Sequence, residues 1–336
     1  PDYEISQQDV DAIKADMYKM PIEAGEEIIH VIPQNYVVDN EAGALNPVGM
    51  SGKQLEANYH IVIGQTAFAR NIEECVNRVN LDVIDLILEP LASAEAVLTD
   101  DEKEAGVVLV DIGGGTTDVA IFYDNVIRHT AVIPFGGSVV TNDIKEGCSI
   151  LLRQAEQLKL QFGCALGEMA DENKIISIPG ISGRKPKEIS FRNLAFIIQS
   201  RMEEIVDAVL FEINNSGIAD KISAGIVITG GSAMLNNLPD LFNLQTGYDV
   251  RIGDPSEILA ENMSEDLGAC KYSTAIGLLL KGFESPKAHD IIKTEREIIP
   301  EPVPEEEDEE VEVVSSGFFS TIRKTIKTIV EDKDLK

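Results

Sequence analysis

An α/β fold organised around two glycine-rich turns is predicted by three observations. Val107-Val108-Leu109-Val110 is a continuous apolar run, the mark of a strand covered on both faces. It stops abruptly at Asp111-Ile112-Gly113-Gly114-Gly115-Thr116-Thr117-Asp118, and a second apolar strand over 119–122 follows at once. A further apolar run over 224–229 also ends in paired glycines, Gly230-Gly231. A hairpin that only turns is served by two residues. Three successive residues without side chains instead let backbone N–H groups close around an anion. Asp111 and Asp118 put carboxylates at the rim of that turn, where they can hold the waters that a magnesium ion usually keeps.

The 336 residues support about two domains. An apolar content of 44% with 26% charged residues is that of a globular protein. The net charge of −30 argues against a nucleic-acid partner, because phosphate binding needs a basic surface. Residues 284–316 carry −9 of it, so the remainder is acidic too. Cys75, Cys148, Cys164 and Cys270 are scattered without metal-ligand spacing, which suits free thiols in a reducing compartment. No signal peptide and no run of eighteen apolar residues is apparent, so neither secretion nor a membrane span is expected. The chain begins at Pro1 without Met, inside what reads as a polar loop, and is expected to be an incomplete sequence.

Along the chain, Ser6 precedes Val10, Ile13 and Met17 at helical spacing, and Pro21 ends that helix. Residues 27–31 and 35–39 read as two strands separated by Pro33. The alternation over 55–63 predicts a half-buried strand, 68–79 a helix, and 83–88 a short apolar strand. His30 and His60 fall inside strands and are read as structural. Pro90 opens a helix over 89–98 with small residues along one side. After the glycine hairpin, 126–134 reads as a strand, and Gly136-Gly137-Ser138 as a tight helix entry or, alternatively, an anion site. Residues 155–159 are helical, with Glu156 and Lys159 one turn apart as a surface ion pair would be. Pro179, Gly180, Gly183 and Pro186 mark a loop with a basic tip. A long helix carrying Arg201 spans 194–213, and a last apolar helix 272–280.

These residues resemble the actin/Hsp70/sugar-kinase superfamily, whose two-lobed fold closes over ATP. The hairpin is similar to its second phosphate motif, Thr229-Gly230-Gly231-Ser232-Ala233 to its adenosine motif, and 89–98 with 272–280 to its two interlobe connectors. Within it, His30-Val31-Ile32-Pro33-Gln34, Asn46-Pro47-Val48-Gly49-Met50-Ser51-Gly52, Arg128-His129-Thr130 and Gly163-Cys164-Ala165-Leu166-Gly167 resemble the bacterial FtsA cell-division family, in order and over essentially the whole chain. The fold so implied is actin-like with an FtsA-type 1C subdomain and the first part of 1A missing. Residues 1–82 would be 1C; 83–103 and 271–283 remnants of 1A; 104–150 and 222–270, 2A; 151–221, 2B.

The resemblance implies ATP and Mg2+ as cofactors. Gly113, Gly114, Gly115 and Thr116 would hold the β- and γ-phosphates with Asp111 near the metal. Gly230, Gly231, Ser232 and Met234 would line the adenosine, and Glu156 with Lys159 would reach the ribose or adenine, in place of the surface pair. Glu89 takes the place of a carboxylate that positions the attacking water in Hsp70-like relatives. As the family's first phosphate motif is not found, ATP binding is expected to be weak. The implied partners are the FtsZ C-terminal peptide, a second copy of the chain in head-to-tail polymers, and other division proteins. Arg201 and Lys185 on 2B are the expected basic contacts to that acidic peptide.

Residues 284–316 are too acidic and too rich in Pro to fold. A tether of about 30 residues has an r.m.s. span of roughly 30 Å. Beyond it, Phe318, Phe319, Ile322, Ile326, Ile329 and Val330 fall within an arc of about 120° on a helical wheel, with Arg323, Lys324 and Lys327 outside. One apolar face margined by cations is an interfacial anchor for anionic lipids. The expectation is therefore an actin-like membrane adaptor, peripheral on the cytoplasmic face of the inner membrane at the division site. The rivals are a sugar-kinase-type phosphotransferase and a pilus-assembly adaptor of the same fold.

Overall fold

Ser6 caps the first helix, α1 (Gln7–Met17), by accepting from the Asp9 N–H, while the Asp9 carboxylate returns to the Ser6 N–H. The structure, a computed structural model, describes residues 3–180, 185–259 and 265–285. Strands β1 (Glu26–Val38), β2 (Glu41–Ala44) and β3 (Leu55–Gln65) form an antiparallel sheet in the order β2-β1-β3. Ile5 and Val10 pack with Tyr36 and Val38 in a small core of their own. Pro33 does not divide β1, contrary to expectation. β2 pairs only with residues 36–38, so among the described residues one side of β1 has no strand at Pro33 and the missing N–H costs no second ladder. A register shift between Pro33 and Asn35 absorbs the rest.

Helix α2 (Thr66–Asn77) follows, with no fully buried residue. The strand expected over 83–88 does not form. Among the described residues no strand of the three sheets pairs with this segment, and an apolar run becomes a strand only where a neighbour completes the ladder. The Leu86 N–H instead donates to Asp85 Oδ1, and the Leu88 N–H to His30 Nε2 at 3.0 Å. Helix α3 (Glu89–Val97) has Pro90 in its first turn and buries Ala92, Ser93, Ala94 and Ala96. Thr99 and Glu102 form a capping box at α4 (Asp100–Ala105).

The central sheet begins with β4 (Val107–Ile112), β5 (Thr117–Tyr123) and β6 (Val126–Ile133). Helices α5 (Gly137–Cys148) and α6 (Leu152–Phe162), the hairpin of β7 (Ile175–Ile178) and β8 (Lys187–Ser190), and the 25-residue α7 (Phe191–Asn215) intervene. Then β9 (Ile226–Thr229), α8 (Leu238–Thr246), β10 (Val250–Ile252) and α9 (Ser273–Glu284) complete the described chain. The sheet order is β10-β9-β4-β5-β6, with β9 parallel to both β4 and β10 and the β4-β5-β6 pairs antiparallel.

Every residue of β4 is buried, as a strand covered on both faces requires. Val108, Val110 and Ile112 enter the larger core with Ile144, Leu158, Ile198 and Phe242. Val107 and Leu109 point the other way, into a core with Ala94, Val97 and Ile276 from α3 and α9. The three-stranded sheet meets β6 through polar contacts. Gln34 Nε2 donates to the Ile127 carbonyl at 2.6 Å, and His60 Nε2 lies 2.9 Å from Thr130 Oγ1. His129 carries the chain of contacts on to Glu212 of α7 at 2.9 Å.

Candidate functional site

The two glycine turns converge at the C-terminal ends of the adjacent parallel strands β4 and β9. In the hairpin between β4 and β5, the Gly113 N–H donates to the Thr116 carbonyl at 3.0 Å and closes the turn. Among the described residues, the N–H groups of Gly114, Gly115 and Thr116 donate to no protein acceptor. Three unspent donors side by side on an exposed turn form a concavity for an anion. The opposite side of the hairpin is braced: the Gly137 and Ser138 N–H groups donate to the Gly113 and Gly114 carbonyls at 2.9 and 2.8 Å. The Gly136-Gly137-Ser138 segment therefore acts as a helix entry, with two of its donors already spent. A Cβ at Gly136 would stand 2.7 Å from the Gly113 carbonyl oxygen, so only glycine lets the two loops meet.

Gly230 ends β9 with φ +87°, where a side chain would be strained, and a Cβ there would overlap Asp111 Oδ1. Gly231, Ser232 and Met234 form the short 3-10 turn that follows. The Ser232 hydroxyl donates to the Gly113 carbonyl at 3.3 Å and links the two turns directly, while Met234 is exposed. From α6, Lys159 Nζ reaches the same place, 2.9 Å from the Gly137 carbonyl and 3.0 Å from Glu156 Oε2. The structure thus brings Gly113, Gly114, Gly115, Thr116, Gly137, Lys159, Glu156 and Ser232 into one neighbourhood.

Three carboxylates gather at the base of the hairpin. Asp111 is nearly fully buried, and burial pushes its carboxyl up despite hydrogen bonds from Ser93 at 2.6 Å and Thr274 at 3.3 Å. Asp118 is also raised, chiefly by burial; Thr116 Oγ1, 2.9 Å away, opposes this and the Asp111 charge adds to it. Burial and then the charges of Asp111 and Asp118 push Glu89, at the start of α3, to about 7. All three groups are short of positive charge, which a cation would supply. Among the described residues no closed cage of metal ligands exists. That combination fits a Mg2+ that keeps most of its waters and meets protein through one or two carboxylates.

Arg201 lies on α7, where its guanidinium already grips Asp143 at 2.6 and 3.2 Å and also pairs with Glu204. Lys185 is exposed beside the β7–β8 hairpin. The sequence reading did not single out Thr141, Ser93 or Thr274, each a lone hydroxyl on a helix that becomes informative only once its neighbours from other elements are in place. Residues 317–330, with the apolar arc and its flanking cations, lie outside the described residues. Among the described residues no helix is long and apolar enough to cross a membrane.

The family described as cell division protein FtsA matches residues 108–277, half of the chain and the whole of the two glycine turns. The chain belongs to the FtsA family. A second family, the SHS2 domain inserted in FtsA, matches residues 1–63. The FtsA of Pseudomonas aeruginosa is 41% identical over 283 residues, covering 84% of this chain and 67% of that protein. The FtsA of Escherichia coli strain K12 is 37% identical over 289 residues, covering 84% and 68%. Among solved structures, MreB5 of Spiroplasma citri bound to AMPPNP superposes with a TM-score of 0.54 at 21% identity, covering 70% of this chain and 67% of that one. A PilM–PilN type IV pilus biogenesis complex gives 0.58 at 16% identity, covering 85% and 76%. At those identities the likeness speaks for the fold alone, and the fold is actin-like.

Proposed function

We propose that this FtsA-family chain binds ATP with Mg2+ in the cleft between its glycine turns, polymerises head to tail, and tethers FtsZ filaments to the cytoplasmic membrane. The observation that carries the nucleotide reading is the set of three N–H groups, at Gly114, Gly115 and Thr116, that are unspent among the described residues. They would hold phosphate oxygens, Gly230, Gly231, Ser232 and Met234 would line the adenosine, and Asp111 would meet the metal's waters. MreB5, alike in fold, has been solved bound to AMPPNP and to ADP, which supports a nucleotide as the ligand of this cleft. Bound Mg2+ would supply charge neutralisation at the phosphates. Glu89, poised near 7 at the rim, would orient a water. Any hydrolysis is expected to be slow and to serve assembly more than turnover.

Subdomain 2B, residues 151–221, binds the FtsZ C-terminal peptide with Lys185 and Arg201 as its basic contacts, and other division proteins join the polymer. The membrane arm rests on the amphipathic pattern of 317–330. One short apolar face binds reversibly, whereas many tails on one polymer bind firmly through effective concentration. Co-sedimentation with anionic vesicles tests this. The chain pellets with vesicles, more so with ATP, and a form ending at Ser316 stays in solution. Undiminished pelleting of the shortened form would overturn the membrane arm.

A further inference from the structure

Asp111 and Asp118 are partners across the β4–β5 pair, yet they are held from different places. Among the described residues, the hydroxyl on Asp118 Oδ2 is Thr116 Oγ1 at 2.9 Å, a donor within the same hairpin, so the turn itself sets where this carboxylate lies. Asp111 Oδ2 accepts instead from two hydroxyls on two other elements, Ser93 Oγ of α3 at 2.6 Å and Thr274 Oγ1 of α9 at 3.3 Å. The two hydroxyls also touch each other, 3.0 Å apart.

Each hydroxyl has one proton, and counting them ranks the two. Ser93 is fully buried and gives its proton to the carboxylate, because a charged acceptor makes the shorter and stronger bond. Its oxygen then has only lone pairs to offer, so Thr274 is the donor where the two hydroxyls meet. Thr274 reinforces the grip either way, by bonding Asp111 itself or by polarising the Ser93 hydroxyl. Glu89 draws on the same Thr274 proton, however, so Ser93 is the principal holder. Thr274 is the second residue of α9, which also puts the positive end of that helix beside the carboxylate. The other oxygen, Asp111 Oδ1, accepts from no donor among the described residues and lies against Gly230, whose missing Cβ leaves it room.

We propose that Ser93 is the positioning residue of the metal end of the cleft: with Thr274 behind it, Ser93 pins Asp111 Oδ2 to the place where α3 meets α9 and leaves Oδ1 to accept from the water shell of Mg2+. This rests on the nucleotide reading above. Magnesium demands near-ideal octahedral geometry, so its waters need an acceptor that stays in place. Asp111, anchored to two helices outside the hairpin, provides one; Asp118, anchored within the hairpin, does not.

Calorimetric titration with ATP, in Mg2+ and in EDTA, on the wild-type chain and on Ser93→Ala, Thr274→Val, Thr274→Ser and Asp111→Asn tests it. Wild type gains about tenfold in affinity from Mg2+. S93A loses most of that gain while its affinity in EDTA stays within about twofold of wild type. T274V loses about threefold of the gain and T274S keeps it. In D111N the gain is already gone, and adding S93A removes nothing more. Equal weakening by S93A with and without Mg2+ would make Ser93 a packing residue only, and an undiminished gain would give it no part; either overturns the proposal. If S93A does not fold, the Thr274 pair decides: a full gain in T274V, or a lost one in T274S, overturns it equally. Wild-type binding that is indifferent to Mg2+ would overturn the proposal and leave the nucleotide reading standing, whereas a wild-type chain that binds ATP under neither condition would overturn both.

Discussion

Gly277 of α9 crosses Ala92 of α3 so closely that a Cβ at 277 would overlap the Ala92 carbonyl. Small residues of both helices line this contact, and Ser93, one turn into α3, and Thr274, the second residue of α9, both bond Asp111. Backbone is thus packed on backbone immediately beneath the carboxylate of the phosphate hairpin. Overpacking such a contact costs about 1–3 kcal/mol. Gly277→Ala is expected to lower the thermal midpoint by several degrees, whereas Gly282→Ala, on the same helix with open space at its Cβ, leaves it unchanged or slightly higher.

Glu89 should make stability fall as pH rises. Its folded pKa of about 7 lies above the unfolded 4.5, so the folded chain holds the extra proton. The contribution is fully present below pH 4.5 and is lost as pH climbs through 7. Glu89 also faces water, which screens the effect to about 1 kcal/mol. Denaturant titrations at pH 5 and pH 8 should show Glu89→Gln matching wild type at pH 5 and exceeding it at pH 8.

Arg201 is bound to Asp143 and Glu204, so charge reversal there acts on folding before it acts on any partner. Arg201→Glu sets three carboxylates together and is expected to cost about 1–3 kcal/mol in a urea titration. Lys185→Glu, exposed in a loop, leaves stability within about 0.5 kcal/mol and weakens binding of an acidic FtsZ-type peptide. An unchanged peptide affinity in K185E would remove Lys185 from the proposed contact.

Much of the fold was legible because its signals are local. The unbroken apolar run 107–110 announced a strand buried on both faces, and β4 sends alternate side chains into two separate cores. The Ser6–Asp9 cap and the long periodic helix α7 were equally plain. What misled was non-local. Residues 83–88 have a strand's composition but join none of the sheets among the described residues, and Pro33 reads as a break only until β2 is seen to stop short of it. In the cleft, glycines advertised themselves by their number and spacing. Thr141 did not: one hydroxyl in a helix means little until α6 places Glu156 and Lys159 against it. The same is true of Lys159, whose contacts with Gly137 and Thr141 come from another helix and its loop.

The phosphate nest admits the most direct test, because its glycines are free to change without disturbing the fold. A Cβ at Gly115 meets nothing within 4 Å and one at Gly114 only Ser138 Oγ at 3.8 Å, and neither glycine has a positive φ. The double variant Gly114→Ala/Gly115→Ala should therefore keep its thermal midpoint while putting two methyl groups at the mouth of the nest. The deciding measurement is the calorimetric affinity for Mg–ATP of this variant against wild type. The account predicts a loss of about tenfold or more at unchanged stability; equal affinity in the two proteins would contradict it.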